Sequence, residues 1–243
     1  MNFINFNILA VVPARGGSKS IPRKNLCKID GISLVGRAGM LIKSLTWINA
    51  AVLSTDDEDI SEEGRRFGLD TPFVRPAEIS GDRATSVEMW KHAWIESEKF
   101  YNKKFDISIL LEPTSPLREV GDIEKAVSKI TDEGYSSAAT VSRTPGHYTP
   151  QKTLIIDDQG LINFYHSDGS SHSLRQSIPD YFHRNGLCYA LTREHLFQKN
   201  VIIDSSTAPI IIDRHVVNID EPFELQMAEW ILKATKSHKH DNG

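Results

Sequence analysis

Short apolar runs recur through the first 140 residues, each followed by a stretch whose apolar positions fall at helical spacing. Ile8, Leu9, Ala10, Val11 and Val12 form one run with no polar interruption, the pattern of a strand covered on both faces. Similar runs predict strands at 51–54, 107–111 and 138–141, with helices between them at 34–45, 57–67, 85–99 and 120–130. The helix at 57–67 opens on acidic residues, which suit the positive end of a helix, and stops at Gly68, a residue suited to a C-terminal cap. Strand and helix in alternation are the mark of βαβ units, and so of an α/β fold.

The alternation breaks at Arg143-Thr144-Pro145-Gly146-His147-Tyr148-Thr149-Pro150. Beyond it, strands at 153–156 and 161–165 flank Asp157-Asp158-Gln159-Gly160, a hairpin signal, and a polar loop follows at 167–173. An excursion of about forty residues that cannot bury much surface by itself reads as a dimerisation arm or a lid. The chain returns through a strand at 210–217 to a last helix at 222–234, where Phe223, Met227, Trp230 and Ile231 share one face. A tail at 237–243 is expected to fray.

The 243 residues are 40% hydrophobic and 25% charged, which is enough length and apolar content for one large domain or one domain with an appendage. Net charge is −4 and the isoelectric point is near 6.1, so basic clusters stand out locally against an acidic background. That balance argues against a binder of long nucleic-acid tracts and favours a small anionic ligand. Cys27 and Cys188 are the only cysteines and lack metal-site spacing, so a reducing compartment is expected. The first seven residues lack a signal-peptide pattern, and no apolar run is long enough to span a bilayer; a soluble, cytoplasmic protein is the expectation.

Candidate chemistry begins just after the first strand. Residues 13–25 read Pro-Ala-Arg-Gly-Gly-Ser-Lys-Ser-Ile-Pro-Arg-Lys-Asn, joining paired glycines to the cations Arg15, Lys19, Arg23 and Lys24. Glycines let backbone N–H groups approach phosphate oxygens, and the cations neutralise them, so the segment reads as a polyanion cradle. It is no Walker A loop, because Ser18 separates Gly17 from Lys19, and no GxGxxG occurs. A solvated basic turn is the bland alternative, weakened by the position beyond a strand's carboxyl end, where open α/β sheets bind ligands.

Two further clusters, Ser54-Thr55-Asp56 and residues 112–118 (Glu-Pro-Thr-Ser-Pro-Leu-Arg), stand at strand ends and should converge with the first. Pro113 and Pro116 would stiffen the latter and present Thr114, Ser115 and Arg118, unless it is simply a rigid turn with a capping hydroxyl. Residues 75–82 precede a helix that Asp82, Thr85 or Ser86 could cap; alternatively Arg75 passes over a bound base or ribose. Asn218 and Asp220 follow a strand on one face and could hold Mg²⁺ with phosphates, although Asp220 taken by itself reads more readily as the cap of the last helix. His147, His166, His172, His183 and His215 show no metal-site spacing and are read as surface or loop residues.

Together these segments resemble the cytidylyltransferases that activate nonulosonic acids: the CMP-N-acylneuraminate (sialic acid) synthetases and their legionaminic and pseudaminic relatives. The resemblance spans nearly the whole chain and rests on residues 13–25, 54–56, 75–82, 112–118, the Arg-Gln-Ser-Ile-Pro at 175–179, the Asn-Gly and Tyr189 that follow, and 218–229. It implies a Rossmann-like nucleotidyltransferase (nucleotide-diphospho-sugar transferase) fold with a mostly parallel sheet flanked by helices. Residues 1–142 and 191–236 would form the nucleotide-binding domain, and 143–190 a small excursion that pairs with a second subunit and contacts the sugar.

The implied reaction is attack by the sugar acid's anomeric hydroxyl on the α-phosphorus of CTP, for surface glycan (lipopolysaccharide or capsule) biosynthesis. By position, Arg15, Gly17, Ser18, Lys19 and Lys24 would hold the triphosphate, with Lys24, Arg15 and Asp220 catalytic. Asn25, Arg75, Ala84 and Ser86 would surround cytosine and ribose. Glu112, Thr114, Ser115, Lys152, Arg175, Asn185 and Tyr189 would face the sugar, and Asp220 with Asn218 would hold Mg²⁺. A homodimer without nucleic-acid or membrane partners is implied.

Three residues depart from the sialate pattern: Glu112 replaces the usual Gln, Asn218 replaces the first Asp of Asp-x-Asp, and His183 replaces an Arg two residues before the Asn-Gly. An acceptor-only group near two anions is unfavourable unless it meets a hydroxyl, an amide or a cation, so Glu112 predicts an acceptor other than ordinary N-acetylneuraminate. The alternatives are a cytidylyltransferase for another acidic sugar such as a 3-deoxy-octulosonate, and a non-catalytic nucleotide-binding regulator.

Overall fold

The computed structural model describes residues 3–171 and 178–240. Its centre is a six-stranded sheet containing β1 (Ile8–Pro13), β4 (Ala50–Ser54), β5 (Ile107–Leu110), β6 (Ser137–Arg143), β9 (Phe182–Thr192) and β10 (Ala208–Ile212). The order is β10-β6-β9-β5-β1-β4. Parallel pairs join β1 to β4 and β5, and β10 to β6, while β9 runs antiparallel between β5 and β6. The sheet is therefore mixed but mostly parallel, and Rossmann-like as expected.

The uninterrupted run in β1 has a simple cause: both faces are covered. Ile8, Ala10 and Val12 pack with helices α1 (Leu34–Lys43), α2 (Glu58–Arg66) and α4 (Val120–Thr131), whereas Leu9 and Val11 pack with Trp90 and Trp94 of α3 (Ser86–Tyr101). Burial of one such aliphatic side chain stabilises by about 1.5–3 kcal/mol, so the central strands dominate the core. Helix ends follow the sequence closely. Asp57 caps α2 by accepting from the Ile60 N–H at 3.0 Å, and Gly68 turns the chain away with φ +85°. Thr85 and Glu88 form a reciprocal capping box on α3.

Four features differ from the sequence expectation. A small hairpin, β2 (Lys28–Ile29) with β3 (Ile32–Ser33), turns on Asp30 and Gly31, both at positive φ. The expected excursion runs to 190, yet β9 already belongs to the main sheet from Phe182, so the described residues outside the sheet are 144–171 and 178–181; they hold the hairpin β7 (Leu154–Ile156) and β8 (Ile162–Phe164). The strand expected at 210–217 stops at Ile212. Finally, α5 (Pro222–His240) runs through part of the expected tail, and its expected apolar stripe is split: Phe223, Met227 and Trp230 are exposed, whereas Ile231 packs inward with Leu225 and Leu232 beside the buried Ala228.

Candidate active site

A cleft of 430 Å³ opens beyond the carboxyl ends of β1 and β5, on the side of the sheet covered by α3. Four separated segments line it: Arg15, Gly17, Ser18, Lys24 and Asn25 from the first; Arg75, Asp82, Ala84 and Ser86 from the second; Glu112 and Thr114 from the third; Asn218 and Asp220 from the last. Most residues singled out from sequence are thus brought together.

Internal bonds hold the basic loop open. Asn25 is buried and donates to the Arg15 carbonyl at 3.0 Å, closing the loop across its base. Gly16 donates its N–H to Asp56 at 2.8 Å, and a Cβ there would crowd the Asp57 side chain, so this glycine serves close packing while Gly17 faces open space. Arg23 leaves the cradle: its guanidinium pairs with Asp59 at 2.7 Å and Asp57 at 3.2 Å, tying the loop to α2 from a left-handed backbone conformation. The cluster 54–56 does not line the cleft either. It braces it, since Ser54 receives hydrogen bonds from the buried Arg75 guanidinium and the Thr55 carbonyl accepts from the Arg75 N–H. Burial lowers the Arg75 pKa to about 10, still leaving it charged at neutral pH.

The remaining cations rest on carboxylates. Arg15 lies 2.9 Å and Lys19 2.6 Å from Asp82, and these bonds hold the exposed Asp82 carboxyl below its ordinary range, Lys19 contributing most. Lys19 itself stands outside the lining. Lys24 Nζ, largely buried, donates to the Ile219 carbonyl and to Asp220, both at 2.9 Å. Asp82 is therefore no helix cap, the role that Thr85 takes. Nor is Asp220 spent on α5: Glu224 accepts from the N–H groups of Asp220 at 2.6 Å and Glu221 at 2.8 Å, leaving the Asp220 carboxylate in the cleft. Asn218 and Asp220 lie on an irregular segment, not beside a strand, pinned where the Ile219 N–H meets the Thr114 carbonyl at 2.7 Å.

Residues 112–118 are fixed from within. Arg118 is buried and donates to the carbonyls of Glu112, Gly186 and Leu187, so it staples this turn to β9 and is not presented to a ligand. Each carbonyl it deserted would cost about 1–3 kcal/mol, which makes the staple structural. Ser115 donates to the Asn185 carbonyl at 2.8 Å. Asn185 spends its side chain internally, donating to Ser142 at 3.0 Å and accepting from the Leu187 N–H at 3.2 Å. Glu112 is half-buried, and burial pushes its carboxyl up. Arg118, Arg184 and Lys24 oppose that rise, and Asp220 adds to it. The Tyr189 hydroxyl is raised mainly by burial and next by Glu112.

Lys152 sits in the 150–152 turn, outside the cleft lining. Arg175, with His172, lies outside the described residues. His147, His166, His183 and His215 are exposed, as expected; Cys188 is buried, its thiol pushed up to about 12. Sequence reading missed Gly186, although the Asn-Gly pair marked the place: its φ is +69°, and a Cβ there would run into Glu112 and Ser115. Among the described residues no group of three or more His, Cys, Asp or Glu could hold a metal ion alone.

The model of a family described as cytidylyltransferase matches residues 9–224. The post-translational flagellin modification protein B of Campylobacter coli is 27% identical over 93% of this chain and 95% of its own length. A pseudaminic acid cytidylyltransferase of Campylobacter jejuni is 28% identical over 93% and 96% of the two chains. An N-acylneuraminate cytidylyltransferase of Escherichia coli is 30% identical over 96% of this chain, which spans 54% of that protein. Among solved structures, a CMP:2-keto-3-deoxy-manno-octonic acid synthetase complexed with CTP superposes with a TM-score of 0.69, covering 94% and 99% of the two chains; at 15% identity that likeness concerns the fold.

Proposed function

The chain belongs to the cytidylyltransferase family, and on that premise we propose that it transfers CMP from CTP to a nonulosonic, sialic-acid-like sugar acid, releasing pyrophosphate. The observation that carries this reading is the convergence of Arg15, Lys24, Arg75, Glu112 and Asp220, from distant parts of the chain, on one cleft beyond the strand ends. Relatives named for pseudaminic and N-acylneuraminic acids support the choice of acceptor class.

The residues divide the work. Arg15, Ser18, Lys19 and Lys24 neutralise and position the triphosphate, Lys24 nearest the α-phosphorus. Asn25, Arg75, Ala84 and Ser86 surround cytosine and ribose. On the other side, Glu112, Thr114 and Tyr189 meet the acceptor, whose anomeric hydroxyl gives its proton to solvent as its oxygen bonds to the α-phosphorus; the bond from that phosphorus to the α–β bridging oxygen breaks, and pyrophosphate leaves with the electron pair. Such transfers need orientation and charge neutralisation more than a protein nucleophile, and the cleft supplies both.

Asp220 and Asn218 would hold Mg²⁺. One carboxylate and one amide oxygen make an incomplete set, which suits an ion completed by phosphate oxygens and water. When bound, the ion adds positive charge on the phosphates. The excursion supports pairing with a second copy: Leu154, Ile156, Ile162, Phe164 and Tyr165 are all exposed on and beside the β7–β8 hairpin. Light scattering is expected to give the mass of two chains; a monomer would overturn this part.

The central test is pyrophosphate release with CTP, Mg²⁺ and a panel containing N-acetylneuraminic, N,N'-diacetyllegionaminic, pseudaminic and 3-deoxy-octulosonic acids. Turnover of a nonulosonic acid other than N-acetylneuraminate, in preference to it, is the expected result. Release with the octulosonate alone, or CTP binding without turnover of any acid, overturns the reading.

A further inference from the structure

Strand register places three polar groups on one face beside the cleft. Tyr189 of β9 opposes Leu110 of β5 and Ala139 of β6, so these three share a face. Glu112 stands two residues beyond Leu110, in line with it. Arg184 opposes Val141, which lies two residues from Ala139 and hence on that same face of β6. The register shift between Ala139 and Val141, where β9 carries extra residues around Gly186, brings Arg184 and Tyr189 into phase although five positions separate them. Gly186 makes room at the centre: Glu112 lies where its Cβ would be.

The chemistry of this group is unfinished. Arg184 is exposed and its guanidinium has, among the described residues, neither a hydrogen bond nor an ion pair, yet its charge acts on both Glu112 and Tyr189. The Glu112 carboxyl likewise receives no hydrogen bond from a described residue, although it is half-buried and lines the cleft. A half-buried acceptor and an idle guanidinium on one face form a couple that complements a ligand carrying a donor beside an oxygen acceptor.

We propose that Arg184 is a specificity-determining residue that binds an oxygen of the acceptor sugar acid, with Glu112 taking a neighbouring hydroxyl or N–H. This rests on the proposed function and names which residue of β9 reads the acceptor. Two oxygens share the required chemistry, the sugar's carboxylate and the carbonyl of an acylamino substituent; Arg184 binds either as a planar donor. The couple also explains how a carboxyl at position 112 is tolerated near anionic substrates: the guanidinium offsets its charge.

The test measures steady-state pyrophosphate release by wild type, Arg184→Ala and Arg184→Lys, with the panel acid that wild type uses best. The expected result for Arg184→Ala is a KM for the acceptor raised about tenfold or more, with the KM for CTP within about twofold of wild type. Arg184→Lys should recover part of the loss, and its intact CTP site excludes misfolding as the cause. Two altered acceptors identify the oxygen. If the penalty vanishes on the acid's primary amide, Arg184 holds the carboxylate; if it vanishes on the deacylated sugar, Arg184 holds the acyl carbonyl. An unchanged acceptor KM in Arg184→Ala, or a penalty that survives both alterations, overturns the proposal while leaving the transferase reading intact. Wild type that turns over no acid of the panel overturns both.

Discussion

At the scale of single residues, the cations at the cleft are already paired, three of them on two carboxylates. Asp82 holds Arg15 and Lys19, and Asp220 holds Lys24, so each cation proposed to bind the triphosphate has a carboxylate for a partner. A triphosphate carries more charge and more acceptor oxygens than one aspartate and can take the cations over, but Asp82 must then give way. Asp82→Asn is therefore expected to lower the KM for CTP about threefold to tenfold, with a weaker effect at high salt. An unchanged or higher KM would show that Asp82 instead holds the cations in place for the nucleotide. The ion pairs themselves were not legible in the sequence. Residues 13–25 announced a polyanion site by composition, but which cation serves it depends on partners distant in the chain: Arg23 is taken by Asp57 and Asp59, and Arg118 by three carbonyls.

At the scale of elements, the buried parallel strands and their helices were readable because both faces of β1 meet helices, which leaves an unbroken apolar run, because β5 breaks its run only at Ser108, and because Asp57, Gly68 and Thr85 mark helix ends in chemical terms. The strand β9 was not readable. Its first half, Phe182-His183-Arg184-Asn185, is polar and mostly exposed, and the bulge near Gly186 breaks the alternation before the buried half begins. Helix α5 was legible in its start but in neither its full length nor its orientation, since periodicity shows that a stripe exists and not what it faces. Its stripe borders a wide apolar groove between α1, the start of α4 and α5.

At the scale of the whole molecule, two histidines make stability depend on pH. His92 and His195 are both lowered from their ordinary value, first by burial; Glu96 and Asp204 respectively oppose the shift, while Arg75 and Lys99, and Lys199, deepen it. The Nδ1 of His92 and the Nε2 of His195 find no hydrogen-bond partner among the described residues, so a proton there gains no bond from them in the folded state. Below the ordinary histidine range the unfolded chain binds more protons than the folded one, and stability therefore rises with pH up to about 6.5 and is flat above it for these groups. The urea midpoint is expected to fall between about pH 7 and about pH 5.5, and the double replacement His92→Gln with His195→Gln to flatten that slope. A slope unchanged in the double variant would assign the effect to other groups.

The order β10-β6-β9-β5-β1-β4 has a further consequence for how the chain is made. The strands β5 and β6 are successive in sequence but do not pair; β9 is the seam between them. A ribosome that has released everything up to residue 181 has supplied two of the seam's neighbours and not the seam, so each presents a row of unsatisfied N–H and C=O groups, the kind of edge that recruits other chains. Residues 182–192 close both edges in one step, which makes the strand least visible in the sequence the one on whose arrival the growing protein's solubility depends.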